Sequence, residues 1–152
     1  AHGLPLIGSG DWNDGMNRVG HGGRGESVWL GWFLVHVLNE FAPLCERRGR
    51  ADLAQTYRNE ARWLTGMLEL AWDGDWYLRA YYDDGSPLGS HTSEECRIDS
   101  VAQSWAVLSG AGRPETCRRT FGNLMRLKTC VRAVAYKNLS IEPDPPSGGK
   151  RQ

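Results

Sequence analysis

The feature that most constrains the fold is a nearly continuous apolar stretch between residues 26 and 48. Because it leaves few polar positions, it predicts a helix that is buried on most sides. Pro43 is predicted to end or kink this helix, since proline removes a helical donor and clashes with the preceding turn. Residues 51–72 carry apolar side chains at three- and four-residue spacing, which predicts a second helix. Only a short polar turn separates the two, so we expect an antiparallel helical hairpin.

Three aromatic residues of the first helix are candidates for either the core or a ligand site. Trp29 and Trp32 are three residues apart on an apolar helix, which favours the core over the lining of a sugar cleft. His36 is likewise predicted to be a core histidine rather than a ligand. Both interpretations are open to test by the burial of these side chains.

The pattern changes after the second helix. Residues 72–85 contain Asp-Gly pairs on either side of an aromatic run, which predicts a short hairpin or extended excursion with Asp83 and Asp84 in its turn. A third helix is predicted over residues 98–109, and a fourth over residues 114–134. The expected fold is therefore mainly α with a short β-hairpin.

The charged residues divide the chain into two parts. Residues 1–112 contain nine Arg, no Lys and 15 acidic residues, whereas residues 113–152 contain nine basic and three acidic residues. All seven Trp precede this border. We therefore expect a body over residues 1–115 and a divergent basic tail over residues 116–152, disordered from about residue 140 because its Pro, Ser and Gly cannot pack.

Composition also excludes several classes of partner. The formal net charge is zero, which gives no reason to expect nucleic acid or an anionic membrane. The apolar run over residues 28–38 is too short to span a bilayer, and no signal peptide is recognisable, so a cytoplasmic protein is expected. The four cysteines are irregularly spaced and predict neither a zinc site nor a disulfide framework. No metal is expected.

The chemistry is concentrated in residues 8–17, where glycines surround two carboxylates, a ring and an amide. Glycine lets the backbone approach a ligand closely. Trp12 offers a flat apolar face, Asn13 a hydroxyl partner, and Asp11 and Asp14 are carboxylates three residues apart. This combination suits a sugar site, although Asp, Asn and Gly are also ordinary turn residues. A second candidate is Gln103, one helical turn after Asp99, where both side chains either face a polar cleft or cap and solvate the helix start.

Several ordered blocks resemble glycoside hydrolase family 94, which contains the inverting disaccharide phosphorylases. They are residues 3–17, 25–30, 76–85 and 97–106, and the resemblance covers about residues 2–115. In particular, the blocks resemble the C-terminal phosphorylase-like domain of cyclic β-1,2-glucan synthases. The family fold is an (α/α)6 barrel, so the resemblance implies that the helices predicted here form an incomplete arc of such a barrel. The uncovered edges of an arc lead us to expect self-association.

The resemblance also implies roles for individual residues. The family's catalytic acid maps onto Asp14, and Trp12 borders the donor sugar subsite. With Asn13, Asp11 and Gln103 these residues form the expected substrate site. In inverting phosphorolysis the acid protonates the departing glycosidic oxygen while inorganic phosphate, the co-substrate, attacks the anomeric carbon from the opposite face. The expected substrate is a β-linked glucan, no cofactor is implied, and the cytoplasmic parent protein would be associated with the inner membrane.

Two other functions remain open. An inverting α/α-toroid glycoside hydrolase would use water and would need a second carboxylate as base. A non-catalytic carbohydrate-binding remnant would use the aromatic residues without turnover. Because one barrel needs about twelve helices and three or four are predicted, we expect the 152-residue chain alone to be inactive.

Overall fold

A computed structural model describes residues 2–8 and 16–126. In order along the chain, its elements are β1 (Glu26–Ser27), α1 (Val28–Arg47), α2 (Ala51–Glu69), β2 (Ala80–Tyr81), β3 (Pro87–Leu88), α3 (Ser100–Leu108) and α4 (Pro114–Arg126). The described part is mainly helical with one small antiparallel sheet, in the strand order β1-β2-β3. That it forms an arc of an (α/α)6 barrel stays a prediction.

The predicted helical hairpin is confirmed. Ser27 caps α1, since its hydroxyl accepts a hydrogen bond from the Leu30 N–H. Gly49 then takes φ +74°, in the left-handed region, and the chain reverses into α2. Gly31 near the start of α1 meets Leu68 near the end of α2, where an added Cβ would lie 2.7 Å from the Leu68 Cδ2. The two helices are therefore antiparallel, with backbones in close approach.

Two predicted helix ends need correction. Of the two alternatives at Pro43 an end is wrong, because α1 continues through this residue to Arg47, and a kink stays a prediction. Pro43 costs α1 one backbone hydrogen bond, to the carbonyl four residues earlier, and the helix nevertheless continues for one further turn. The second helix ends at Glu69 instead of residue 72, because Trp72 leaves the helix and pairs as an isolated antiparallel bridge with Tyr77.

The predicted hairpin is confirmed, but its second strand, β3, lies beyond the predicted end at residue 85, and its sheet has a third strand. Ala80 pairs with Leu88 in β3 and, on its other side, with Ser27 in β1. Glu26 and Ser27 were predicted as the first turn of the helix, which is wrong: they are paired with Tyr81 and Ala80. The sheet therefore joins the start of α1 to the hairpin.

The larger core lies between α1, α2 and the residues that follow them. Trp32 is fully buried and meets Tyr77 edge-on, with ring centroids 5.1 Å apart. Trp29 is also buried and lies against Phe33 and Trp105. The core assignment of both tryptophans is confirmed. α1 is long and apolar enough to pass a composition test for a membrane span, and here it is the central packed helix of the described residues.

The third helix is shorter than predicted, and the fourth is described only in part. α3 begins after Asp99, whose carboxylate accepts a hydrogen bond of 2.7 Å from the Val101 N–H, and ends before Gly110 at φ +68°. α4 is described to Arg126, so the rest of the helix predicted to residue 134 lies outside the described residues. The predicted disorder from about residue 140 also lies outside them, and the domain boundary at residue 115 stays a prediction.

Candidate functional site

Most of the predicted sugar site falls outside the described residues. Asp11, Trp12, Asn13 and Asp14 belong to residues 9–15, and their roles stay predictions. The structure does describe the chain on both sides of this segment, up to Gly8 and again from Met16. We therefore describe the two stretches that flank this segment, residues 4–8 as the first anchor and residues 16–25 as the second. Together we call them the loop base.

The first anchor runs beside β1. The Pro5 carbonyl accepts a hydrogen bond of 2.8 Å from the Ser27 N–H, and the Ile7 N–H donates to the Gly25 carbonyl at 2.8 Å. Leu6 and Glu26 form an antiparallel bridge between these bonds. Residues 4–8 therefore extend the sheet by one irregular strand, which fixes the direction in which the chain enters residue 9.

The second anchor is apolar. Met16 and Val19 are buried with Ile7 and Ala80 in a small cluster of their own, separate from the larger core. Gly20 lies directly against the first anchor, since a Cβ at this position would be 2.1 Å from the Ile7 Cγ2 and 2.8 Å from the Gly8 carbonyl oxygen. Only glycine allows this approach. The residues that flank segment 9–15, Gly8 and Met16, are consequently held close to the same sheet.

Asp83 ties the second anchor to the hairpin. Its Oδ1 accepts hydrogen bonds from the backbone N–H groups of Arg24 and Gly25, at 2.8 and 2.9 Å, and its Oδ2 accepts one from Gly22 at 2.5 Å. The Asp83 N–H donates to the Val19 carbonyl at 3.1 Å. Hydrogen bonds to the charged form, with Gly22 first, hold the pKa of Asp83 below its usual value.

The carboxylate of Glu26 holds the start of the first anchor by hydrogen bonds. This carboxylate is buried and accepts hydrogen bonds from the N–H groups of His2 and Leu4 and from the His2 ring, whose Nδ1 lies 2.6 Å from Oε2. Burial raises the pKa of Glu26, but the hydrogen bonds from His2 and Leu4 outweigh it, so the pKa lies below its usual value. The His2 ring stacks on Tyr81 at 3.6 Å between centroids. Glu26 is thus an ionised, fully bonded structural carboxylate.

A buried cation connects the sheet with α3. Arg79 is fully buried, and its Nε lies 3.4 Å from the Asp99 Oδ2. Its Nη1 donates to the Ser27 hydroxyl at 3.3 Å. Arg79 therefore contacts the capping residues of both α1 and α3, so the two helix N-termini are held at one side of the sheet.

Gln103 is fully buried, and its amide is engaged by the backbone. Its Oε1 accepts from the Tyr77 N–H at 2.9 Å, and its Nε2 donates to the carbonyls of Tyr77 and Asp99 at 2.7 and 3.0 Å. The side chain thus joins α3 to Tyr77. It bonds both the N–H and the carbonyl of that residue, as a neighbouring β-strand would. Its predicted contact with sugar stays a prediction, and Asp99 is shown to cap the helix.

Sequence reasoning missed the roles of Glu26, Asp83 and Arg79. Asp83 and Asp84 both lie in the turn, as predicted, but only Asp84 bonds within it, since its Oδ1 accepts from the Ser86 N–H at 2.9 Å. The sequence offered one sign of a further role for Asp83: it is adjacent to a second acid, Asp84, and a turn needs only one of the two. In the described part of the chain, no group of three or more His, Cys, Asp and Glu is placed to hold a metal ion.

Comparison with known proteins places the chain among carbohydrate-active enzymes. Residues 1–133 match the family model described as the glycosyl hydrolase 94 superfamily, catalytic domain, so the match continues past residue 115. The chain is 52% identical over 126 residues to the cyclic beta-(1,2)-glucan synthase NdvB of Rhizobium meliloti (strain 1021), covering 82% of this chain and 4% of that protein.

Two relatives from Paenibacillus borealis are named as phosphorylases. A 3-O-beta-D-glucopyranosyl-beta-D-glucuronide phosphorylase is 36% identical over 153 residues, covering 98% of this chain and 19% of that protein. A solabiose phosphorylase is 42% identical over 138 residues, covering 90% of this chain and 17% of that protein. The chain therefore spans less than a fifth of the length of these curated relatives.

Proposed function

This chain belongs to the glycosyl hydrolase 94 superfamily, and from this membership we propose that it is a segment of an inverting β-glucan phosphorylase domain with Asp14 as the general acid. The observation that carries the proposal is the family match across residues 1–133, which includes the whole of residues 8–17. Relatives named as phosphorylases, among them solabiose and cellobionic acid phosphorylases, support phosphate as the acceptor.

In the proposed reaction one protein carboxyl group is enough. Asp14 donates a proton to the glycosidic oxygen as the bond to the anomeric carbon breaks, and inorganic phosphate attacks that carbon from the opposite face. To hold its proton near neutral pH, Asp14 needs a pKa above its usual value, which burial against Trp12 would supply. Asn13 and Asp11 would contact or shape the donor sugar site.

The loop base bears on which residue could act as the base of a hydrolase. An inverting hydrolase needs a second carboxylate free to accept a proton from water. The two carboxylates beside the described anchors, Glu26 and Asp83, are both occupied by N–H donors that lower their pKa. A carboxylate in that state is a poor base. Neither of them suits the hydrolytic role, so a hydrolase would need its base from another residue.

The substrate and competence of the chain are part of the same proposal. We propose a β-linked glucan as substrate, and activity only in the context of a longer protein, because the chain spans 4–19% of the relatives compared above. The mainly helical described part, with its core around α1 and α2, would be one part of the helical catalytic domain.

The test is the release of sugar 1-phosphate from β-1,2-glucooligosaccharides and inorganic phosphate. It uses the chain as given and a full-length relative in which residues 1–133 replace the matching segment. We expect product from the second protein only, and a loss of at least about a hundredfold in kcat on Asp14→Asn, as for removal of a general acid.

The matched control is Asp52→Asn, which changes an exposed carboxylate on α2 that pairs with Arg50 at the surface. Its kcat should equal that of the parent. Free sugar in place of sugar 1-phosphate would establish the hydrolase instead. Sugar binding that survives Asp14→Asn without turnover in either protein would establish the binding remnant.

A further inference from the structure

Asp83 makes more contacts with the glycine-rich segment than its place in a turn requires. Its carboxylate accepts three backbone N–H groups from Gly22, Arg24 and Gly25, residues 58 to 61 positions away. The turn itself is already closed without this side chain, because Gly85 donates to the Tyr82 carbonyl and Ser86 to Asp84. The carboxylate of Asp83 therefore serves the glycine-rich segment and not its own turn.

We propose that Asp83 is the positioning residue of the candidate catalytic segment: its carboxylate holds residues 22–25, and through them it fixes the separation of Gly8 and Met16, the described residues that flank segment 9–15. The catalytic consequence rests on the proposed function, whereas the anchoring itself does not. Asp83 would touch neither sugar nor phosphate. It would act through the backbone of the loop base.

Gly25 connects Asp83 to the first anchor. Gly25 is bonded on both sides: its N–H donates to Asp83, and its carbonyl accepts from Ile7. Gly25 also lies against Gly20 and Val19, since an added Cβ would be 2.6 Å from the Gly20 Cα and the Val19 carbonyl oxygen. Movement of Gly25 is thus passed directly to Ile7 and Gly20.

The first anchor is reached through these two residues. Gly20 packs on Ile7 and the Gly8 carbonyl, the last described atoms before residue 9. Val19, the neighbour of Gly20, hydrogen-bonds back to Met16, the first described residue after the segment, at 3.1 Å. Asp83 therefore controls both ends through one hydrogen-bonded and packed path.

The chemistry of the site calls for a carboxylate. Three N–H donors converge on two oxygens, and a carboxylate offers acceptor sites on both. An amide at this position keeps one acceptor oxygen but turns an NH2 group toward a backbone N–H. Asp83→Asn therefore conserves size and loses one set of acceptor contacts, either toward Gly22 or toward Arg24 and Gly25.

The first experiment measures the anchoring without any activity. Arg18 and Arg24 are exposed in the loop base, so trypsin can report its opening at both positions. In the chain as given we expect Asp83→Asn to speed cleavage at Arg18 and Arg24 by about tenfold, as for the loss of one or two hydrogen bonds. Hydrogen exchange of the Ile7 amide should accelerate by a similar factor.

The matched control is Asp84→Asn on the same turn. Asp84 bonds only with Ser86 in the described contacts, through Oδ1, an atom that Asn retains. Cleavage and exchange should match the parent chain. Equal rates in the parent and in Asp83→Asn would overturn the proposal, as would acceleration of equal size in both variants.

The second experiment separates positioning from general destabilisation. In the full-length relative carrying residues 1–133, Asp83→Asn should lower kcat at least about tenfold while KM for the glucan changes less than about threefold, because proximity and orientation act on the chemical step. Asp83→Glu, which restores both oxygens, should recover part of kcat. An unchanged kcat alongside faster proteolysis would overturn the positioning role.

The two proposals can fail separately. If Asp14→Asn leaves turnover unchanged, the proposed function fails, and proteolysis and exchange still decide whether Asp83 holds the loop base. If Asp14→Asn abolishes turnover while Asp83→Asn changes neither proteolysis nor kcat, the proposed function stands and the role of Asp83 fails.

Discussion

The helical hairpin and the loop base are stabilised by different interactions. The hairpin of α1 and α2 is held by apolar packing, with Trp32, Leu64 and Leu68 all buried between the helices and their neighbours. Apart from Leu4, which belongs to the larger core, the loop base has a small apolar cluster, and it is held by backbone hydrogen bonds and by hydrogen bonds to the carboxylates of Glu26 and Asp83.

This difference affects how each region responds to change. Apolar packing is non-directional and cooperative, so a lost side chain in the hairpin should lower global stability. Hydrogen bonds to a carboxylate fix a local geometry and contribute little net free energy each. A change in the loop base should therefore alter its conformation more than the stability of the whole chain. The predictions below test that contrast, from the largest effect to the smallest.

The largest loss of stability is expected in the hairpin. Trp32→Ala removes a fully buried ring that packs against Tyr77 and should lower the free energy of unfolding by about 3–5 kcal/mol, measured by urea denaturation. Trp63→Ala on α2 is the control, because this ring is 50% exposed. Its effect should be clearly smaller. Equal losses would mean that burial does not set the stability of the hairpin.

The sequence predicted the hairpin well for a physical reason. A helix that packs on one side has apolar residues every three or four positions, so the pattern can be recognised from residues that are close together in the sequence. The third helix was predicted for a similar reason, although its start was placed at residue 98, two positions before Ser100, and capping by Asp99 was one of two alternatives. Both depend on contacts that are local in sequence or on burial of one face.

The loop base could not be predicted in this way. Asp83 contacts residues about 60 positions away, and Glu26 contacts His2 and Leu4 across 24 and 22 positions. Neither a periodic apolar pattern nor a turn motif predicts contacts between residues so far apart in the sequence. Glu26 was taken for helix because an apolar run follows it, and its pairing with Tyr81 depends on a strand far along the chain.

Gln103 shows where spacing alone fails. The sequence correctly placed it one turn after Asp99, but the partner that defines its position is the backbone of Tyr77, 26 residues earlier. The four remaining site residues, Asp11 to Asp14, lie outside the described residues, so their assignment depends on the family and not on geometry.

The second prediction concerns this buried amide. Gln103→Leu leaves the Tyr77 N–H and carbonyl without their side-chain partner and should cost about 2–3 kcal/mol of unfolding free energy. Gln55→Leu is the matched control, since Gln55 is exposed on α2 and bonds only with Asn59 in the described contacts. It should change stability by less than about 0.5 kcal/mol. Unchanged stability with lost sugar binding would favour the predicted sugar contact.

The third prediction is a smaller, pH-dependent effect in the loop base. Glu26→Gln replaces an oxygen that accepts from His2 with an NH2 group and should cost about 1–2 kcal/mol near pH 7. The pKa of Glu26 in the folded chain lies below its ordinary value of 4.5, so its stabilising contribution is complete above that pH.

As the pH falls through the lowered pKa, folded Glu26 takes up a proton and this contribution disappears. The difference in unfolding free energy between the parent and Glu26→Gln should therefore shrink between about pH 4.5 and pH 2, as followed by urea denaturation. Glu60→Gln, at an exposed position of α2, is the control. A difference that stays constant over this range would show that Glu26 is not stabilised as the anion.

The smallest change in stability is expected on the open side of α1. Phe41 and Leu44 are 52% and 43% exposed near the end of α1, and Phe41 follows Trp32 by nine residues, which places it on the opposite face of the helix. Phe41→Ser should change the free energy of unfolding by less than about 0.5 kcal/mol.

If this face supports the predicted self-association, however, the same variant should shift the chain toward monomer in sedimentation velocity. Leu70→Ser removes an equally apolar side chain, 73% exposed beyond the end of α2, and should leave the association unchanged. Because apolar packing stabilises the hairpin, its uncovered face is where a further apolar contact would be gained. Equal sedimentation of the parent and both variants would show that this face stays uncovered between copies of the chain.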